Sequence, residues 1–173
     1  MRKRQTHLSR RGFLRTAAQA GALFVMPQIV PSTVLAGSGS VPPSEKIRLA
    51  GLGIGGRGGY VLGCFLHEPD VQCVAICDVK AGRRKAVKDM VDARYGNQDC
   101  VTYIDMREML ARDDIDAVLI ATGPNWHATA AIQTANAGKD VYCEKPLTKN
   151  IMQSLALAET FRRTGRVFQA GTQ

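Results

Sequence analysis

No acidic residue stands before Glu45 in this chain of 173 residues. The same opening stretch carries Arg2, Lys3, Arg4, Arg10, Arg11 and Arg15, so most of the formal net charge of +8 belongs to one short segment. Beyond it, seventeen basic residues face fifteen acidic ones, and that near-balance argues against a basic nucleic-acid-binding face. No pair among Cys64, Cys73, Cys77, Cys100 and Cys143 has the Cys-x-x-Cys spacing of a metal or redox site, so no metal is expected. Cys73 and Cys77 stand four apart in an expected strand, roughly 13 Å at about 3.3 Å per residue, which is too far for a disulfide. Most of the cysteines therefore read as small buried hydrophobes, with a disulfide between distant cysteines left open. An uninterrupted apolar run of membrane-spanning length is also missing. The stretch "TAAQAGALFVMPQIVPSTVLA", residues 16–36, is broken by Pro27 and Pro31. No internal repeat occurs beyond a plain alternation of elements.

What is present begins with "SRRGFLR", residues 9–15. The paired arginines followed by Phe13 and Leu14 resemble the bacterial twin-arginine export signal. Val34, Leu35 and Ala36, just ahead of Gly37, fit a signal-peptide cleavage site. Residues 1–36 are thus expected to be a twin-arginine signal peptide and the mature chain to be periplasmic, free of the membrane after cleavage. That route exports folded proteins and suits one that takes up a cytoplasmic cofactor first. Residues 37–46, "GSGSVPPSEK", lack periodicity and read as a linker; residues 47–173 form one domain.

Within that domain, short apolar runs alternate with helical patterns. Strands are expected at 47–52, 71–77, 100–103, 116–121, 140–143 and 166–169, and helices at 56–66, 80–94, 105–111, 126–137 and 148–164. Runs such as "VQCVAI" and "DAVLIA" show no polar alternation, which is how strands covered on both faces read. The spacing of Ala128, Ala131, Ile132 and Ala135 marks one helical core face. Together these predict an α/β fold with a doubly wound parallel sheet.

The first turn reads "IRLAGLGIGGRGGYV". Two registers of G-x-G-x-x-G fit, Gly51-Gly53-Gly56 and Gly53-Gly55-Gly58. The second leaves six residues for the strand and is preferred. Glycines let the chain turn tightly and let backbone N–H groups approach a pyrophosphate seated on a helix N-terminus. Gly53, Ile54, Gly55, Arg57 and Gly58 are therefore candidate cofactor-binding residues. Asp78, at the end of the next strand, stands where an acid accepts hydrogen bonds from ribose hydroxyls, unless it only caps the following helix. An acid there favours NAD; Lys80, Arg83 and Arg84 nearby keep NADP open. The shorter G-x-G-x-G of "GLGIG" also suits S-adenosylmethionine, so a methyltransferase competes at this point.

Downstream stand Ala121, Thr122 and His127 in "ATGPNWH", and Glu144, Lys145 and Pro146 in "YCEKPL". Spaced in this way, they resemble the glucose–fructose oxidoreductase and inositol dehydrogenase family, Gfo/Idh/MocA, over about residues 46–173. Gly123 departs from the proline usual there, with Pro124 next, and "GGRG" resembles the exported branch. The resemblance implies a Rossmann-like NAD(P)-binding domain, NAD as cofactor and a sugar or polyol substrate. It makes Lys145 the catalytic residue that assists proton transfer at the substrate hydroxyl, a role that burial and nearby positive charge would tune. Glu144 would hold the nicotinamide ribose. Thr122, Asn125 and His127 join the cofactor-binding set, Asn125 also as a helix cap, and Trp126 reads as packing. The expected reaction is hydride transfer to or from a hydroxyl carbon. An NAD-dependent glycoside hydrolase of the same fold, or a nucleotide-binding fragment without activity, are the alternatives. The family's second α/β domain is expected beyond these residues, and with it any oligomer.

Overall fold

The computed structural model describes residues 41–172. The expected leader at 1–36 and the linker's first residues, 37–40, lie outside the described residues. The rest of that linker is not irregular throughout. Pro43–Glu45 forms one 3-10 turn, with Glu45 N–H donating to the Pro42 carbonyl at 2.9 Å. Pro43 supplies the first φ, which proline fixes in advance.

Six strands and five α-helices then alternate: β1 (Ile47–Leu52), α1 (Gly56–Phe65), β2 (Val71–Cys77), α2 (Ala81–Tyr95), β3 (Val101–Tyr103), α3 (Met106–Leu110), β4 (Ala117–Ile120), α4 (His127–Asn136), β5 (Asp140–Glu144), α5 (Ile151–Thr164) and β6 (Phe168–Gly171). The sheet order is β3-β2-β1-β4-β5-β6 and every pair is parallel. The chain starts at the centre, winds outward to β3, then crosses back and winds the other way through β4 to β6. The reversal falls between β1 and β4, so the ends of these two strands flank the crevice where ligands of such sheets bind.

Alternate residues of the central strands feed separate cores. Ala50, Leu52, Val118 and Ile120 pack with Met109 of α3, Ala130 of α4 and Leu157 of α5. Leu49 and Leu119 point the other way, against Val61 and Leu62 of α1 and Val87 and Val91 of α2. Burial on both faces explains the unalternating apolar strands.

Two elements start two or more residues later than expected. The side chain of Asn150 accepts from Gln153 N–H at 2.9 Å, capping α5 and leaving Thr148 and Lys149 outside it. Gly165, at φ +65°, ends α5, so Arg166 and Val167 complete the turn and β6 pairs only from Phe168. One buried cation escaped the sequence reading. Lys139 is 4% exposed and donates from Nζ to the carbonyls of Arg112, at 2.6 Å, and Ile115, at 3.1 Å. It holds the loop before β4 against the start of β5.

Cys73, Cys77, Cys100 and Cys143 are buried and Cys64 is exposed; all five are free thiols. Burial pushes Cys143 up to about 12, with the Glu144 carboxylate adding to it. A thiol reagent at pH 8 should therefore modify Cys64 alone in the native protein and reach the other four only on unfolding. Rapid modification of two or more native thiols would contradict this packing. The sign for pH is fixed by the raised value: the stability conferred by a buried neutral thiol is whole below about pH 9 and is lost as pH rises toward 12.

Candidate functional site

The site begins at the carboxyl end of β1. Gly53 has φ +72°, and a Cβ placed on it would lie 2.5 Å from the Thr122 Cα. Only glycine permits both the left-handed turn and this approach of the β1 and β4 ends. A Cβ on Gly58 would meet the Gly53 carbonyl at 2.8 Å and the Ala121 Cβ at 3.0 Å, so Gly58 sets how closely α1 packs on the sheet. A Cβ on Gly56 would meet nothing within 4 Å. The structure therefore uses the Gly53-Gly55-Gly58 register. Gly55 stands at the N-cap of α1, and no side chain caps that helix. Its first N–H groups and the positive end of its dipole are left for an anion. Ile54 buries its side chain in the core and offers this turn only its main chain.

From the end of β1 a cleft of about 770 Å³ opens along the carboxyl ends of the strands. Gly53, Asp78, Arg83, Ile104, Thr122 and Trp126 are among its lining residues. Asp78 is 5% exposed and is not a helix cap in the ordinary sense, because α2 has Lys80 at its N-cap position. Its Oδ1 accepts from Lys80 N–H at 2.8 Å, and its Oδ2 lies 3.7 Å from the Arg83 guanidinium. Arg84 turns away and donates to the Asp78 main-chain carbonyl at 2.6 Å. Across the cleft, Asp105 caps α3 and is held down near 2 by the Arg107 guanidinium. Cys77, at the cleft floor, is pushed up to about 11 by burial, with the Asp105 and Asp78 carboxylates adding to it. It stays a neutral thiol at ordinary pH.

The two motifs that looked separate in sequence meet through side chains. Arg57, in the first turn of α1, donates from Nε to Glu144 Oε1 at 3.1 Å. Glu144 ends β5 and is 4% exposed, while the Arg57 side chain is about half exposed. His127 links the same region from below: its Nε2 lies 2.9 Å from the Thr122 carbonyl and its Nδ1 2.7 Å from the Pro146 carbonyl. The ends of β1, β4 and β5 are thereby tied into one cluster. The Lys145–Pro146 peptide is cis.

Four expectations need correction. His127 is 2% exposed with both ring nitrogens facing main-chain carbonyls, so it positions the turn and offers a cofactor no free nitrogen. Asn125 does not cap α4; Trp126 occupies that position without a side-chain cap, and Asn125 Oδ1 accepts from Lys149 Nζ at 2.7 Å. Trp126 is 58% exposed on the cleft wall, not packed in the core. Lys145 is exposed, so the burial invoked to tune it is not found. Neither Glu144 nor Lys145 lines the cleft itself. Arg83, expected with Lys80 and Arg84 only as a nearby charge that keeps NADP open, lines the cleft beside Asp78. The first turn of α2 carries Arg83 and no acid, although a helix N-terminus disfavours cations.

Among the described residues, no group of three metal-ligating side chains occurs and no helix is long and apolar enough to cross a membrane.

Comparison with known proteins agrees with this geometry. Over 126 residues the chain is 36% identical to a glycosyl hydrolase family 109 protein 1 of Shewanella sp. strain MR-4, covering 71% of this chain and 28% of that protein. It is 35% identical over 152 residues to an alpha-N-acetylgalactosaminidase of Shewanella oneidensis, covering 86% and 33% respectively. The chain thus spans about a third of the length of these relatives. A solved myo-inositol 2-dehydrogenase from Lactobacillus plantarum superposes with a TM-score of 0.64 at 26% identity, covering 73% of this chain and 36% of that one. KijD10, a 3-ketoreductase from Actinomadura kijaniata in complex with NADP, gives 0.61 at 28% identity, covering 72% and 38%. Residues 47–172 match the family model described as the oxidoreductase family with an NAD-binding Rossmann fold, and with that match, this sheet order and this glycine turn, the chain belongs to the Gfo/Idh/MocA family.

Proposed function

We propose that this chain is the cofactor-binding domain of a sugar- or polyol-active enzyme that moves hydride between a hydroxyl carbon and a nicotinamide. The observation that carries the reading is the Arg57–Glu144 hydrogen bond, which joins the glycine turn to the charged end of β5 at one edge of the sheet. The residues fit a dinucleotide. The turn at Gly53 leaves no room for a side chain, and α1 starts uncapped beside it, as a pyrophosphate requires. In this reading Gly53, Gly55 and Gly58 shape the pyrophosphate seat and Asp78 takes the adenosine ribose hydroxyls. Glu144, oriented by Arg57, holds the nicotinamide ribose. Thr122, fixed by His127, lines the passage between the two ends. Bound NAD or NADP supplies the hydride acceptor. Lys145 takes or returns the proton of the substrate hydroxyl.

The relatives' names favour one elaboration of this chemistry. Two of them are a family 109 glycosyl hydrolase and an alpha-N-acetylgalactosaminidase. In a hydrolase, oxidation of the sugar would be transient and reversed within each turnover; in a dehydrogenase it would be net. Calorimetric titration of the chain with NAD tests the shared part: saturable binding is expected, and Asp78→Ala should weaken NAD about tenfold. No binding by the folded wild-type chain would overturn the reading. In an enzyme carrying this domain, sugar release without NADH accumulation would select the hydrolase and stoichiometric NADH the dehydrogenase.

Export belongs to the same proposal and rests on "SRRGFLR" alone. Changing Arg10 and Arg11 to Lys should strand the protein in the cytoplasm; undiminished periplasmic appearance would mean another route.

A further inference from the structure

We propose that Cys73 and Cys100 form a latent disulfide site: on meeting a disulfide donor the pair closes and staples the inner strand β2 to the edge strand β3. Strand register brings the two together. Ala75 pairs with Val101, so Cys100 stands at the entry of β3, close to Cys73. A bulge completes the placement. The pairing of β1 with β2 steps from Leu49–Cys73 to Ala50–Ala75 and skips Val74. Cys73 therefore faces the core that holds Cys100, Val87 and Val91, while Ala75 and Cys77 face the other one. There the two thiols are in hydrogen-bonding contact. Among the described residues no other two cysteines are so placed. Cys77 and Cys143 share a core but lie on strands separated by β1 and β4, and Cys64 is exposed on α1.

The surroundings suit thiol–disulfide exchange. Lys88 of α2 donates from Nζ to the Cys100 carbonyl at 2.7 Å and so sets an ammonium beside that residue. The contact with the Cys73 thiol holds Cys100 below the ordinary thiol value, and the Lys88 charge adds to it. Cys73 is held well above that value by the same contact and by burial. Cys100 is thus the nucleophile and Cys73 the thiol that resolves. The Cys100 thiolate attacks one sulfur of the donor R–S–S–R, forming Cys100–S–S–R and releasing R–S⁻. Cys73 then gives up its proton and attacks the Cys100 sulfur, forming the bridge and releasing the second R–S⁻. The two protons end on the two released thiolates; the donor is reduced and the pair oxidised. Both thiols are buried, so the donor reaches them when the edge opens. β3 has three residues, a single neighbouring strand and Val101 44% exposed. The bridge closes a loop that contains the whole of α2 and so restrains the unfolded chain. Neither cysteine lines the cleft, and the bridge needs no dinucleotide.

The test uses the chain with Cys64→Ser, which removes the exposed thiol, refolded from urea into either dithiothreitol or a mixture of reduced and oxidised glutathione. Thiols are counted in denaturant, any disulfide is located by peptide mapping, and thermal unfolding is recorded. After dithiothreitol the four buried cysteines should all count as thiols. After glutathione two fewer should count, Cys73 and Cys100 should appear in one linked pair of peptides, and the melting temperature should rise by about 5 °C or more. Adding Cys100→Ser should abolish both the loss of thiols and the rise. If that variant does not fold, the peptide map of the Cys64→Ser chain decides alone. Three results overturn the site: a full thiol count after glutathione, a map that links a different pair or leaves glutathione on Cys100 without a bridge, or a Cys73–Cys100 bridge that does not raise the melting temperature.

Discussion

Gly53→Ala should unfold the turn or abolish cofactor binding, with a loss of about 3 kcal/mol or more in stability. Two penalties fall on the same methyl group. A φ of +72° costs a non-glycine residue about 1 kcal/mol. The larger penalty is overlap, because the added carbon would sit 2.5 Å from the Thr122 Cα and 2.6 Å from its nitrogen. Both are main-chain atoms at the end of a central strand, so no side-chain rotation relieves the clash. Either β4 shifts from its register with β1, or the turn opens and the pyrophosphate seat is lost. Gly56→Ala provides the control, since a Cβ there meets nothing within 4 Å and alanine favours a helix. Urea denaturation and NAD titration of both variants give the result. Equal behaviour of the two would remove the assigned register.

Lys145→Met, placed in an enzyme that carries this domain, should lower turnover by about 10²- to 10⁴-fold, the range spanned by loss of a positioned acid or base. Cofactor affinity should stay within about threefold. The reasoning is positional. Lys145 follows Glu144 directly at the carboxyl edge of the sheet, where this class of fold receives its ligands. Its side chain is exposed, and no other side chain among the described residues bonds its Nζ. Methionine keeps the length and the apolar stem while deleting the proton carrier. A variant with unchanged kcat would show that another group moves the proton. A variant that loses cofactor would show that Lys145 binds and does not catalyse.

The fold was legible because its two signals reinforce each other. β1 and β2 match their expected bounds residue for residue, since each is a mainly apolar run that ends at a clear break, the glycine turn from Gly53 after β1 and Asp78 after β2. Boundaries slipped where side-chain capping decides them, as at Asn150, and where a glycine sets the exit, as at Gly165. The candidate site divides along a different line. Gly53 and Asp78 could be placed at strand ends from residue type and pattern, and Thr122 and Glu144 from the family resemblance. The cross-links could not. Arg57 and Glu144 are 87 residues apart, and nothing local in either segment announces the other. His127 was misjudged for the same reason: its partners are main-chain carbonyls, which leave no trace in side-chain identity. Trp126 reads as packing in the sequence, whereas at the N-cap position of α4 it is exposed.

That outward indole gives the protein an optical gauge of its own. Trp126 is the chain's sole tryptophan, and it borders the same hollow as Asp78 and Gly53. Its emission comes from one address, partly wetted while the hollow stands open. A guest that settles against it will displace water and shift or quench that light, so occupancy can be followed in real time without attaching any dye.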